Sequence, residues 1–110
     1  MEVPKEAQEK IARLQLLEQN LQQFLMQRQQ FQTQLFEVEN ALKELDAAQT
    51  VYKIVGNIMV SSNKDVMKKD LEQRKELITV RLSSIEKQES QLKDKAKKLQ
   101  EEVLIMMKKE

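Results

Sequence analysis

Apolar side chains recur at alternating spacings of three and four residues along two long segments of the chain, residues 5–48 and residues 64–108. This spacing is typical of a coiled coil, in which each helix buries a narrow seam against another helix. The two rows of the first seam are Ala7, Leu14, Leu21, Arg28, Leu35 and Leu42, and Leu17, Phe24, Phe31, Val38 and Leu45. Those of the second are Leu71, Ile78, Ile85, Leu92, Leu99 and Met106, and Lys68, Lys75, Leu82, Glu89, Ala96 and Val103. The pattern predicts two helices, each roughly 65 Å long at about 1.5 Å per residue.

The segment between the helices, VYKIVGNIMV at residues 51–60, has the composition of β-strands rather than of a helix. Its aliphatic and β-branched residues are divided by Gly56 and Asn57, and glycine followed by asparagine suits the two-residue type II′ turn of a hairpin. We therefore predict a hairpin that pairs residues 51–55 with residues 58–60. The candidate N-caps of the second helix are Ser61, Ser62 and Asn63.

A reversal of the chain at this turn would lay the second helix antiparallel along the first. Leu14 would then face Leu99, and apolar residues would face each other along nearly the whole seam. The exceptions are Arg28 and Glu89, which would lie about one turn apart on opposite helices. They either pair and fix the register, or each extends to water along its own aliphatic stem. The predicted fold is mainly α, a single domain of residues 1–110 with a long antiparallel two-helix coiled coil joined by a central β-hairpin.

The predicted hairpin leaves apolar side chains on both of its faces. An isolated two-stranded hairpin is marginally stable in water, and its unpaired edges invite pairing with other strands. We expect hairpins of several chains to pair edge to edge into an intermolecular β-barrel hub, the alternative being an elaborate loop. The residues assigned to this assembly are Val51, Tyr52, Ile54, Val55, Ile58, Met59 and Val60, with Gly56 and Asn57 in the turn.

If the hairpins assemble, both chain ends would lie at the far tip of the helix pair. The C-terminal end carries five consecutive apolar residues at 103–107, more than a heptad seam can bury. Apolar residues exposed in a run indicate a function, and methionine suits a surface that accommodates varied partners. The tip would therefore grip apolar segments of other proteins, or else simply fray or pack on a neighbour. The residues concerned are Val3, Ile11, Val103, Leu104, Ile105, Met106 and Met107.

Composition excludes several classes of function. Charged residues make up 34% of the chain and aromatic residues 4%, which suits solvated helices rather than a compact globule. The net charge of +1 gives no reason to expect a nucleic acid partner. The chain has no histidine, no cysteine and one glycine, so we expect no enzyme, no metal site and no nucleotide or other cofactor. We also expect no secretory signal and no membrane span, and the apolar end is short for stable anchoring, so the expected location is cytoplasmic.

Three stretches of the sequence together resemble one known family. They are LQQFLMQRQQFQTQLFEVENALKEL, VYKIVGNIMV and DLEQRKELITVRLSSIEKQESQLKDKAKKLQEE. With a strand pair between two heptad helices, the chain resembles the prefoldin family, and its single hairpin fits the archaeal β type rather than the longer α type. The resemblance implies a hexamer of two α and four β subunits, with a hub built by the hairpins and six coiled-coil arms. It also implies ATP-independent capture of unfolded proteins at the tips and delivery to a group II chaperonin. A structural adaptor that docks one specific partner is the alternative.

Overall fold

The computed structural model describes residues 3–108. Helix α1 (Lys5–Ala47) is followed by strand β1 (Val51–Val55), strand β2 (Ile58–Ser62) and helix α2 (Lys64–Lys108). The two strands form an antiparallel hairpin, so the predicted mainly α fold of two long helices joined by a hairpin is confirmed. The chain divides into two compact units. One unit joins the chain up to Gln29 with the chain from Ser84 onward, and the other is Gln30–Ser83.

Helix α1 begins and ends with local backbone bonds. The amide of Gln8 donates to the carbonyl oxygen of Pro4 at 2.9 Å, so proline lies just before the helix, where its missing N–H costs nothing. At the other end the amide of Ala48 donates to the carbonyl of Leu45 at 3.2 Å, a tightened i to i−3 turn that closes the helix one residue before the predicted end. The last turn of α1 contains no basic residue. The Nζ of Lys64, from the start of α2, donates to the carbonyl of Asp46 at 3.0 Å and satisfies one of its free acceptors.

Strand β2 is longer than predicted. Its pairing continues past Val60, with Tyr52 opposite Ser61 and Val51 opposite Ser62. Ser61 and Ser62 are therefore strand residues and do not cap α2, which corrects two of the three proposed caps. Serine has no strong preference for or against a β-strand, so strand pairing determines its conformation once a residue of β1 lies opposite it.

Asn63 is the N-cap of α2. Its Oδ1 accepts the backbone N–H of Asp65 at 2.8 Å and that of Val66 at 3.4 Å, while its carbonyl accepts the amide of Met67 at 3.0 Å. A side-chain oxygen at this position satisfies amides that have no partner within the helix. Asp65 adds a carboxylate to the positive end of the helix dipole.

Replacing Asn63 by alanine is expected to lower the free energy of unfolding by about 1 kcal/mol, because two amides of the first turn lose their acceptor. Urea denaturation followed by circular dichroism would measure it. Asn63→Ser is the control, since it keeps a capping oxygen and should stay within a few tenths of a kcal/mol of the parent chain. Equal losses in the two variants would show that packing, not the cap, controls the start of α2.

The turn of the hairpin has the predicted geometry. Gly56 has φ +60°, and no other described residue has a positive φ, so Asn57 stays in the ordinary region. A type II′ turn needs a positive φ at its first central residue only, whereas type I′ needs it at both. Because Val55 pairs with Ile58, the loop consists of Gly56 and Asn57 alone, which is the length that a type II′ turn requires.

The buried residues of each unit follow the heptad. Ala7, Ile85 and Glu89 are buried in the unit that holds the chain ends. In the unit that holds the hairpin the buried residues are Leu45, Ile78 and Leu82. Lys68 and Lys75 were placed in the seam by spacing, but both are exposed, with their ammonium groups 4.0 Å from carboxylate oxygens of Asp46 and Glu39. The long aliphatic stem of a lysine lets its charged group reach water from a seam position. Heptad spacing alone does not predict this.

Candidate functional site: the hairpin and the chain ends

The register of the hairpin assigns each strand residue to one of two faces. Side chains of directly opposed residues share a face, and the faces alternate along each strand. The first face carries Val51, Lys53, Val55, Ile58, Val60 and Ser62, and the second carries Tyr52, Ile54, Met59 and Ser61. Both faces are largely apolar, and neither is covered: Ile54 is 69% exposed and Ile58 is 65% exposed. The hairpin therefore offers two apolar surfaces that this chain does not bury.

The same register shows which backbone groups of the hairpin are free. In a two-residue turn the residues next to the turn, Val55 and Ile58, exchange hydrogen bonds with each other. Bonded and non-bonded pairs alternate in an antiparallel ladder, so the pair of Ile54 and Met59 is not mutually bonded. The N–H and C=O groups of Ile54 thus face outward from the β1 edge, and those of Met59 face outward from the β2 edge. Both edges can accept a further strand.

The C-terminal turns of α2 expose apolar side chains beyond the seam. Val103 and Met106 are half-buried at their heptad positions, whereas Leu104, Ile105 and Met107 are exposed. Among the residues expected to lie with them, Val3 and Ile11 are half-buried in the same unit. At this end of the chain, the seam residues of α2 are therefore partly covered, while three neighbouring apolar side chains point away from the seam.

An ion pair that sequence reasoning missed joins the two helices near the chain ends. The Nζ of Lys10 donates to Oε2 of Glu102 at 2.8 Å, and this contact lowers the pKa of the Glu102 carboxyl below its usual value. The facing rule that places Leu14 opposite Leu99 also brings these two residues together, so the signal was present in the sequence. Because the carboxyl is exposed, the pair contributes little to the stability of the helix pair.

A second ion pair lies inside the seam of this unit. The Nε of Arg28 donates to Oε1 of Glu89 at 2.8 Å, and their side chains are 29% and 7% exposed. Lys10 meets Glu102 and Arg28 meets Glu89, so the two helices of this unit run antiparallel. The structure thus brings together the two polar residues that interrupt the apolar rows. Within residues 3–108, no buried side-chain nitrogen or oxygen lacks a hydrogen-bond partner.

Over the described part of the chain, no group of three or more acidic, histidine or cysteine residues could hold a metal ion. In the same part, neither helix has a stretch apolar enough to cross a lipid bilayer.

In the unit with the hairpin, the guanidinium of Arg81 lies 5.9 Å from the ring centre of Phe31, a cation–π contact that the sequence pattern did not indicate.

Comparisons with known proteins agree with this arrangement. Residues 8–110 match the protein family described as "Prefoldin subunit". The chain is 36% identical over 104 residues to "Prefoldin subunit beta" of Sulfurisphaera tokodaii, covering 92% of this chain and 83% of that protein. It is 36% identical over 110 residues to the protein of the same name from Saccharolobus islandicus, covering 97% and 87%. The crystal structure of the prefoldin beta subunit from Thermococcus strain KS-1 is similar, with a TM-score of 0.87, 32% identity and coverage of 93% and 92%.

Proposed function

Because the chain belongs to the prefoldin family and matches its β subunits, we propose that it is one arm of an ATP-independent chaperone that captures unfolded proteins at its tips. In this proposal two α and four β subunits form a cytoplasmic hexamer, and captured proteins pass to a group II chaperonin. The observation that carries the proposal is the exposure of Leu104, Ile105 and Met107 at the end of a helix whose seam is closed. These side chains have no seam position and are available to cover an apolar surface of another protein.

The hairpin supports the assembly part of this proposal. Each chain presents two strand edges with outward N–H and C=O groups, and each edge can bond to the edge of a neighbouring hairpin. Closing such strands into a barrel removes every unpaired edge and covers one face of each hairpin at once. The exposed side chains of Tyr52, Ile54, Val55, Ile58 and Met59 supply the apolar surface that would be covered.

Several tips on one hub would make weak contacts sufficient. Each tip offers a few exposed apolar side chains, and these alone give low affinity for an unfolded chain. Once one tip holds a client, the other tips meet it at high effective concentration, which raises the overall affinity by orders of magnitude. No nucleotide takes part in this proposal, because the binding energy comes from apolar contacts. The glycine of the chain, Gly56, is already used in the hairpin turn.

A structural adaptor remains the second proposal, because exposed apolar tips could also dock one folded partner. The two functions differ in their tolerance. A chaperone subunit should bind several unrelated denatured proteins and release their native forms, whereas an adaptor should bind one native partner and ignore denatured chains.

Truncation of the chain after Glu102 tests the role of the C-terminal end. We expect the assembly with the α partner to keep its mass, because the hairpin is untouched, and to suppress light scattering of a diluted, guanidinium-denatured protein several-fold less well. The control ends at Met107, which removes charged residues only and should suppress aggregation like the full chain. If both truncations suppress aggregation as the full chain does, the C-terminal end is not part of the client site.

A further inference from the structure

Helix α1 has an uncharged outer face in the unit that holds the chain ends. Residues 19–27 contain no charged residue, in a chain in which 34% of residues are charged. The exposed positions on this side of α1 recur at spacings of one, three and three residues, which places them on one helix face away from the seam. They are Gln15, Leu16, Gln19, Gln22, Gln23 and Met26. We call these six residues the amide face.

The amide face combines unused hydrogen-bonding groups with exposed apolar side chains. The four glutamine side chains make no hydrogen bond within the described chain. Leu16 is 57% exposed and Met26 is 66% exposed, and neither has a seam position. A shallow depression lined by Gln15, Glu18, Gln19, Leu21 and Gln22 lies on the same side of the helix. None of the six residues of the amide face belongs to the proposed tip.

The lack of charged side chains distinguishes the amide face from the exposed surface of α2 in the same unit. The part of α2 in the same unit exposes charged side chains at Glu86, Lys87, Lys93, Asp94, Lys95, Lys97 and Lys98. Arg28, the next charged residue along α1, lies in the seam and is held there by Glu89. Covering a charged surface requires removing water from ions, whereas covering amides and thioethers costs far less provided that the amides find partners. Contact surfaces between proteins are accordingly poor in lysine and acidic residues and rich in methionine.

The occupant must supply both backbone-like hydrogen-bonding groups and apolar side chains. A glutamine amide donates and accepts, and an extended polypeptide offers both kinds of group along its whole length. Leu16 and Met26 are roughly 15 Å apart along the helix axis, the length of about four or five extended residues. None of its six residues is charged, and the exposed carboxylate of Glu18 at its border repels an acidic chain only weakly, so the face can accept both acidic and basic chains. A second copy of the same face also offers apolar side chains, but its hydrogen-bonding groups are side-chain amides rather than a continuous run of backbone groups, so it fits less well.

We propose that the amide face is a second contact surface for unfolded polypeptide, inward of the chain ends on α1. This rests on the proposed function, since it extends the client surface of the same arm. It joins the half-buried Ile11 side of the tip within one unit, so a chain held at the end can continue along α1. Contacts here would lengthen the bound segment without adding any requirement on its charge.

Photo-crosslinking in the assembled complex tests this proposal. A benzophenone amino acid is placed at Met26, at Gln91 on the charged part of α2 as the matched control, and at Ile105 at the proposed tip. The probe is guanidinium-denatured citrate synthase diluted into buffer without nucleotide. We expect client adducts at positions 26 and 105, with the yield at 26 at least threefold above that at 91. Native citrate synthase should give adducts at none of them.

The outcomes separate this proposal from the proposed function. If position 105 gives adducts but the yield at position 26 is no higher than at position 91, the amide face does not contact clients, and the proposed chaperone function is unaffected. Subunit–subunit adducts at 26, formed without client and unchanged by it, would assign the face to a second copy and overturn the proposal as well. No adducts at any position, together with no suppression of aggregation, would remove the proposed function itself.

A charge variant gives a second measurement. Gln15→Glu/Gln22→Glu places two carboxylates on the amide face, and Gln88→Glu/Gln91→Glu makes the same change on α2. We expect the first variant to weaken binding of an acidic unfolded client about threefold and to spare a basic one, because exposed like charges repel by a few tenths of a kcal/mol each. The second variant should change neither. Equal effects of the two variants would count against a contact on α1.

Discussion

Replacing Ile54 by aspartate is expected to dissociate the assembly into single chains that keep their helices. Ile54 lies at the centre of the second hairpin face, opposite Met59, and is 69% exposed in the single chain. In a closed hub this side chain would be covered, and a covered, unpaired carboxylate costs several kcal/mol per subunit. The helices do not depend on it, because their seam residues are elsewhere. Native mass spectrometry and circular dichroism would report the two properties separately.

Two controls accompany this variant. Ile54→Val keeps an apolar, β-branched side chain and should leave the mass of the complex unchanged. Val80→Asp makes a similar change at an exposed position of α2 in the same unit and should also leave it unchanged. An Ile54→Asp chain that still forms the full complex would contradict the burial of this hairpin face in the hub and leave only the face that carries Val55 and Ile58 to be covered.

Replacing Arg28 by leucine is expected to lower the free energy of unfolding by about 3–5 kcal/mol. The change removes the partner of Glu89, whose side chain is only 7% exposed, and leaves its charge buried without compensation. Removing both charges, as Arg28→Leu/Glu89→Leu, should restore most of this loss, because two apolar side chains fit the heptad that surrounds them. Urea denaturation of the parent, the two single variants and the double variant would give the coupling energy.

The double variant also tests what the pair is for. We propose that Arg28 and Glu89 fix the register of the two helices, since any slip would leave one of them buried against an apolar residue. The chain has no cysteine, so two can be introduced at Leu14 and Leu99 as reporters. We expect a single efficient disulfide in the parent and slower formation in the double variant. A coupling energy near zero would mean that the two side chains merely share a site and select no register.

Most of the fold follows from spacing, because a heptad constrains both the helix and its partner. Every residue of the predicted rows except Lys68 and Lys75 is buried or half-buried, including the interrupting pair of Arg28 and Glu89. Gly56 was identified as the turn because only a positive φ at that place closes a two-residue hairpin with the right twist. These predictions depend on backbone periodicity and on one steric rule.

The errors arise where a neighbouring element decides the outcome. Ser61 and Ser62 have good capping side chains, but β1 extends far enough to pair with them, and the cap passes to Asn63. Lys68 and Lys75 have seam spacing, but their long stems let the charges leave the seam. The proposed contacts of the tips would depend on residues of other proteins, so the spacing along this chain does not predict them.

The single residue between β2 and α2 has a mechanical consequence. Strand β2 ends at Ser62 and α2 begins at Lys64, so Asn63 alone connects them, and its side chain is bonded into the first helical turn. Such a joint has no slack to take up a displacement. A load that pulls α2 along its axis would reach the ladder of β2 through Asn63, whose bonds to the amides of Asp65 and Val66 fasten it to the helix.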